Sequence, residues 1–309
     1  MKRLFVGLLI VLCVLIAVGC AYNEEAGVYT PELSGSSLRD TVLYYETDGG
    51  FLIPVMKQIP WEEGIGKAAL SYLVATTANT TESLRCSLKP TIPDGTTFSL
   101  KIDDEKNAML DVQNMPKLDD KDAESIFIQS VVNTLTEFDT IDTVSLRFDG
   151  KKVGNMPCGT SVRDKMSAFR LNTVGEDIAV SSGKNAVTVY VPDGNFCYNI
   201  PMTGYLSEKD FESAMKLYLE CCKKQSPALC DTELVSAKIK NGIATVRLSD
   251  DFMTVCKNSE GVSDAIARSI YLSALELGDV DGLELYAGEE EIEFDSVSVI
   301  SSRYVNEWK

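Results

Sequence analysis

The sequence contains no histidine. That absence excludes Ser-His-Asp and Cys-His catalysis, and it excludes zinc held by imidazole. Positive charge is scarce too: 29 Lys and Arg stand against 46 Asp and Glu, for a net charge of −17 at neutral pH. A field of that sign repels phosphate backbones and anionic headgroups, so nucleic acid is not an expected partner. A protein with a basic patch is the natural one. None of the nine cysteines shows paired CxxC spacing, which removes the zinc ribbon and the thioredoxin-like site. There is also no phosphate loop and no nucleophile motif, so the chain is read as a non-enzyme that needs no cofactor and no metal. Nothing nominates a specific pair of carboxylates for sugar hydrolysis.

The long apolar run, Leu4 to Val18, is short for a stable bilayer span, which needs about 20 residues. Preceded by Lys2 and Arg3, it has the layout of a secretory signal covering residues 1–19. It ends in Ala17-Val18-Gly19-Cys20, which resembles a bacterial lipobox with Cys20 as the lipidated residue. Ala17 stands where such motifs usually carry Leu, so ordinary cleavage and an uncleaved anchor are the alternatives. Residues 20–40 are rich in Ser, Gly and acids and are read as lipid anchor and tether. These features place the protein outside the cytoplasm, on the cell membrane.

What is present is a repeat. Ala123, Phe127, Val131, Leu135 and Phe138 recur at helical spacing, and Val144, Leu146 and Phe148 then alternate as in a strand. The pattern returns without a gap 139 positions later, as Val262, Ile266, Ile270, Ala274 and Leu277 followed by Leu283, Leu285 and Ala287. One window with eight matched apolar positions is read as a tandem duplication. In the first copy Glu124, Gln129, Asn133 and Glu137 are expected to face water.

The wording Val132-Asn133-Thr134-Leu135-Thr136-Glu137-Phe138, with the strand ending in Phe148-Asp149-Gly150-Lys151, resembles the signature of the GerM-domain family. The second copy keeps the hydrophobic pattern but not this wording, so its identification rests on the repeat. The resemblance implies a tandem-domain envelope lipoprotein that serves sporulation and germination. It also implies a fold like the ring-building motif of secretion and sporulation assemblies, and envelope proteins of a mother cell–forespore complex as partners.

Taken in order, Thr41–Tyr45 and Phe51–Ile59 flank Asp48-Gly49-Gly50 as a hairpin, and Glu62–Ala75 reads as a helix. Thr97–Ile102 and Ala108–Val112 form a second hairpin before the repeated helix and strand. The second copy repeats this with Val187–Val191 and Phe196–Ile200, the helix Phe211–Cys222, and Leu234–Ile239 with Ile243–Leu248. Asp295–Ile300 alternates as a last strand would. The expected class is α+β, with two tandem two-layer domains, each hairpin, helix, hairpin, helix, strand, and a largely antiparallel sheet. The boundaries are 41–160 for the first, 161–185 for a linker, 186–300 for the second and 301–309 for a tail.

Seven cysteines lie beyond the anchor, and an odd number cannot all pair within one chain. Free thiols acting as small core hydrophobes are expected, which fits a reducing setting; a bond from Cys230 to Cys221 or Cys222 is the alternative. Asp119, Asp120 and Asp122 are read as a capped helix start in preference to a calcium loop. Glu289, Glu290, Glu291 and Glu293 are read as a solvated edge. Trp61 is expected to pack beside Pro60 over the first helix, with a partner anchor as the other use. Asn133, Thr136 and Glu137 are the candidate interaction face, opposite the apolar stripe. The function expected is a non-enzymatic scaffold for protein contacts; the alternative is a lipoprotein that captures a small molecule or cell-wall fragment between its domains.

Overall fold

The computed structural model describes residues 37–174, 184–225, 229–258, 261–295 and 304–308. Cys20, residues 20–36 of the expected tether and residues 296–300 of the expected last strand lie outside the described residues, while Leu38–Asp40, expected in the tether, already belong to the first strand. From Leu38 onward the chain forms one compact unit holding both copies.

The first copy opens with a hairpin, β1 (Leu38–Thr47) and β2 (Leu52–Pro60), paired from Leu38–Pro60 to Glu46–Leu52. Gly50 turns it at φ +78°, a conformation that Gly adopts without steric cost. Two short helices follow, α1 (Ile65–Tyr72) and α2 (Thr77–Arg85), then the two-residue β3 (Leu88–Lys89) on the free side of β1. β4 (Thr97–Ile102) and β5 (Asn107–Gln113) form the second hairpin, α3 (Lys121–Thr136) crosses over, and β6 (Thr143–Phe148) pairs with β5 in parallel.

The pairing is largely antiparallel, as expected, with one parallel exception in this copy, β6 on β5. The reason is the helical crossover, which returns the chain in the direction it came and so makes β6 parallel to β5. The second copy does the same. β7 (Asn185–Pro192) pairs with β8 (Asn199–Leu206), α4 (Phe211–Gln225) follows, and β9 (Leu234–Lys240) pairs with β10 (Ile243–Leu248). Helices α5 (Asp251–Asn258) and α6 (Val262–Leu275) then cross over to β11 (Gly282–Ala287), parallel to β10, and β12 (Glu290–Glu291) closes the edge.

Helix α3 packs on β1, β6 and α1, and α6 packs on β7, β11 and α4. Phe127, Val131 and Leu135 are fully buried, as are Ile270 and Ala274 of the second copy. Close approach of α1 needs Gly66, because a Cβ there would stand 3.0 Å from Leu100 and 3.2 Å from Leu135. Each helix thus lays its apolar stripe on a sheet face, the packing that drives an α+β layer pair.

Local chemistry explains several boundaries. Asp120 caps α3, its carboxylate accepting from the Ala123 amide at 2.8 Å, as expected for that acidic run. Phe196 and Cys197 do not begin β8: Phe196 sits at φ +57°, and Asp193 accepts from the amides of Cys197 and Tyr198 at 2.6 and 2.9 Å. A side chain that takes two backbone donors holds a loop open where the alternation suggested a strand. Helix α2 was not expected because TANTTESLR has no apolar stripe; Thr76 caps it, accepting from Asn79. Trp61 does not pack over α1. It is 55% exposed beside Leu38 and Tyr304.

Gly154–Val174 lies along β6 on the first copy. Met166 bridges Val144 through two backbone hydrogen bonds of 2.8 Å, and Val162 and Met166 are buried.

Candidate functional site

The first strand of each copy is held by the last turns of its own crossover helix, through side chains at matched positions. Thr134 accepts from the Tyr44 amide at 3.1 Å, and Ser273, 139 residues on, accepts from the Tyr190 amide at 2.8 Å. Glu137 then accepts from the Tyr44 hydroxyl at 2.6 Å, and Glu276 from the Tyr190 hydroxyl at 2.9 Å. Burial first, and then the facing glutamate, hold both tyrosines protonated well above their ordinary range. Tyr44 also senses Tyr190, and Tyr190 senses Glu137, so the two assemblies meet between the copies.

Around that meeting point each copy sends its tail onto the other. Asn172 accepts from the Leu52 amide at 3.0 Å and donates at 2.8 Å both to the Leu52 carbonyl, in its own copy, and to the Pro201 carbonyl, in the other. Asn306 accepts from the Asn199 amide at 2.7 Å and donates to the Asn199 carbonyl at 3.0 Å and the Pro54 carbonyl at 2.9 Å. Leu52 matches Asn199 and Pro54 matches Pro201, each 147 positions apart.

The backbones follow suit: the Val174 amide donates to Thr203, and the Trp308 amide to Met56, both at 2.8 Å. Each tail therefore makes one isolated parallel bridge to the opposite copy, at Thr173–Thr203 and Met56–Glu307. Trp308 ends the second tail between Tyr45, ring centroids 5.1 Å apart, and the Lys57 ammonium, 3.6 Å from the indole centroid. Lys57 is 7% exposed and is neutralised by Glu82 at 2.6 Å.

The three residues expected to share an exposed face do not share one. Asn133 is 3% exposed; its amide donates to the Phe169 carbonyl at 3.0 Å and accepts from the Phe169 amide at 2.7 Å, which ties down the chain leading to Asn172. Thr136 turns back on its own helix, to the Val132 carbonyl at 2.9 Å. Glu137 is exposed but engaged by Tyr44. Glu124, also expected in water, is fully buried under the 158–160 turn, accepting from the amides of Cys158 at 2.5 Å and Thr160 at 3.0 Å. Burial alone would raise its pKa, and the two amide donors outweigh that and leave it below the ordinary carboxylate range. A polar residue on a helix reads as solvated until the chain that covers it is known.

Sequence reasoning missed Asn172 and Asn306. A signal was there: Leu171-Asn172-Thr173-Val174 and Val305-Asn306-Glu307-Trp308 are the same apolar-Asn-x-apolar word.

The outer surfaces of the copies differ in charge. From Arg147 to Arg170 the first copy carries six basic and two acidic residues. Hollows of about 470 Å³ and 350 Å³ open there, lined by Arg147 and Lys152, and by Arg163, respectively, and both by Asp164 and Lys165. In the second copy the shorter stretch Glu284 to Asp295, the strand β11 and the hairpin after it, carries six acidic residues and no basic one. A third hollow, about 540 Å³, lies against the second tail and is lined by Cys197, Asp264, Arg268 and Asn306 among others.

The seven described cysteines are all unpaired, so the bond proposed for Cys230 is not formed. Cys221 and Cys222 are core residues, and burial pushes the Cys221 thiol up to about 11. No group of three His, Cys, Asp or Glu among the described residues is placed to hold a metal ion. No helix of the described residues is long and apolar enough to cross a membrane.

Residues 42–154 match the family model "Germane: Sporulation and spore germination". The chain is 29% identical to the spore germination protein GerM of Bacillus subtilis (strain 168) over 256 residues, covering 79% of this chain and 70% of that protein. The fold matches the solved tandem GerMN domains of the sporulation protein GerM from Bacillus subtilis with a TM-score of 0.60 at 26% identity, covering 88% of this chain and all of that one.

Proposed function

We propose that this chain, whose residues 42–154 match the Germane family model and whose fold matches tandem GerMN domains, is a GerM-type protein of sporulation and germination that works as a membrane-tethered scaffold. It binds other envelope proteins and performs no chemistry on them. Lipid on Cys20 holds it outside the cytoplasmic membrane, and tethering raises the local concentration of its binding faces. Its partners belong to the complex built between mother cell and forespore.

One observation carries this reading. Two copies of a domain are locked into one body by tails exchanged at Asn172 and Asn306, which fixes the spacing and angle of two outer surfaces. A scaffold needs such a fixed geometry, since each immobilised element is an ordering cost already met before binding. The ligand-capturing alternative calls for an open cleft between the copies. That seam is crossed by the Asn172 and Asn306 bonds and by the Tyr198 hydroxyl, which donates to the Cys86 carbonyl at 2.8 Å.

The test is cross-linking in sporulating cells, with the wild type beside Cys20→Ala. Capture of envelope proteins by the wild type, with release of the variant from membranes and loss of capture, is the expected outcome. Equal capture by both, or turnover of wall material by the purified protein, would overturn the reading.

A further inference from the structure

The two copies carry opposite charge about equivalent strands, and most of that charge has no ion-pair partner among the described residues. In the first copy, strand β6 and the turns after it present Arg147, Lys151 and Arg163, all exposed and without an ion-pair partner among the described residues. Lys152 and Lys165 stand beside them, each shared with one acid: Lys152 with Asp164, and Lys165 with Glu105 at 2.5 Å. In the second copy the equivalent strand β11 and the hairpin into β12 present Glu284, Glu289, Glu290, Glu291 and Glu293, all exposed. Of these only Glu289 has an ion-pair partner among the described residues, Arg247 at 3.4 Å, and Glu289 is itself 96% exposed. No described ion pair joins the two regions.

Concentrating positive charge on one face of a strongly acidic chain is costly unless something anionic meets it, because like charges crowd together without relief. This chain supplies the complementary face itself. The basic region is concave, a pair of hollows about β6, while the acidic region is an exposed hairpin in which β12 pairs with the end of β11. The two regions lie on different copies and no described ion pair joins them, so the complementary contact falls to a second molecule, which can bring its second copy to the first copy of its neighbour.

We propose that the protein self-associates head to tail, the Glu289–Glu293 hairpin of one molecule seated at the Arg147–Lys165 hollows of the next. The contact is heterologous: it leaves one basic and one acidic face free at the ends, so it can extend beyond a pair. Exposed ion pairs contribute little each and are screened by salt, so the association is weak in solution and falls steeply as ionic strength rises. Confinement of the chain to a surface is what makes so weak a contact count. The inference stands on the charges alone and does not depend on the sporulation assignment.

The test is sedimentation of the full chain in detergent, at ionic strengths of about 0.02 M and 0.5 M, with three proteins. These are the wild type, the variant Arg147→Glu/Lys151→Glu/Arg163→Glu, and the variant Glu290→Lys/Glu291→Lys/Glu293→Lys. All substituted positions are exposed, and far-ultraviolet circular dichroism checks that each variant is folded. The expected result is concentration-dependent association of the wild type at low salt, weakened at least tenfold at high salt. Each variant alone stays monomeric, and an equimolar mixture of the two variants associates again. A wild type that stays monomeric at low salt, variants that associate as it does, or a mixture that does not recover would each sink the proposal.

Discussion

Asn172 and Asn306 make the same three hydrogen bonds in opposite directions across the seam, each holding one residue of its own copy by both backbone groups and reaching a proline carbonyl of the other. An asparagine suits this place because it offers an acceptor and two donors from one planar head. The amide group satisfies a strand residue and still has a hydrogen to span the gap.

Replacing either residue by Ala leaves backbone groups unpaired in a buried seam, which costs about 1–3 kcal/mol per site. Asn306, at 5% exposure, is expected to cost the more. Urea unfolding of Asn172→Ala, Asn306→Ala and the pair would measure this. Because both clasps hold the same two bodies, the double variant should lose less than the sum, and strict additivity would show the clasps to be independent.

Trp308 closes the second clasp against Tyr45 and Lys57, so Trp308→Ala is expected to destabilise by about 2–4 kcal/mol through lost area and the cation–π contact. Trp308→Phe should restore most of it. Thermal unfolding of both variants separates the two contributions, and equal losses would mean that a phenyl ring restores nothing and that the contact belongs to the indole itself.

Stability should depend on acid through Glu124. Its folded pKa lies below the ordinary value of about 4.3, so the stabilisation is complete above that value and is lost as pH falls through the depressed one. Glu124→Gln should unfold more easily at neutral pH and show a flatter stability profile between pH values of about 5 and 3. A profile as steep as that of the wild type would place the acid sensitivity elsewhere.

Thiol chemistry should follow burial. Cys197 and Cys230 are exposed and should react first with a disulfide reagent at neutral pH, while Cys221 and Cys222 wait for unfolding. The raised pKa of Cys221, about 11, adds to the delay because only the thiolate attacks. Timed labelling with mass spectrometry reads the order directly.

Gly204 matches Lys57 in the other copy, yet it stands where a Cβ would be 2.6 Å from Leu217. Gly204→Ala is expected to cost about 1–3 kcal/mol by overpacking, and adding Leu217→Val should recover part of it.

Much of the fold was legible because apolar period is a local property. Phe127, Val131 and Leu135 announced a helix buried on one side, and Asp48-Gly49-Gly50 announced its turn, whatever else the chain did. The parallel pairing of β5 with β6 was not announced, because the same alternation serves either direction and only the crossover decides. Nor was the burial of Glu124 and Asn133. A helix pattern shows which side is apolar, and it cannot show which later segment will lie across the polar side.

The amino-acid order alone determined that this chain is a duplicated α+β module of acidic character, since composition and spacing carry that much without any long-range contact. Only the tertiary structure decided that the two modules exchange tails and become one body. Asn172 reaches back 120 residues to Leu52 while it holds Pro201 of the other module, and Asn306 lies 252 residues from Pro54. A hydrogen bond over such a separation has no local trace, because what brings its two ends together is the packing of everything between them.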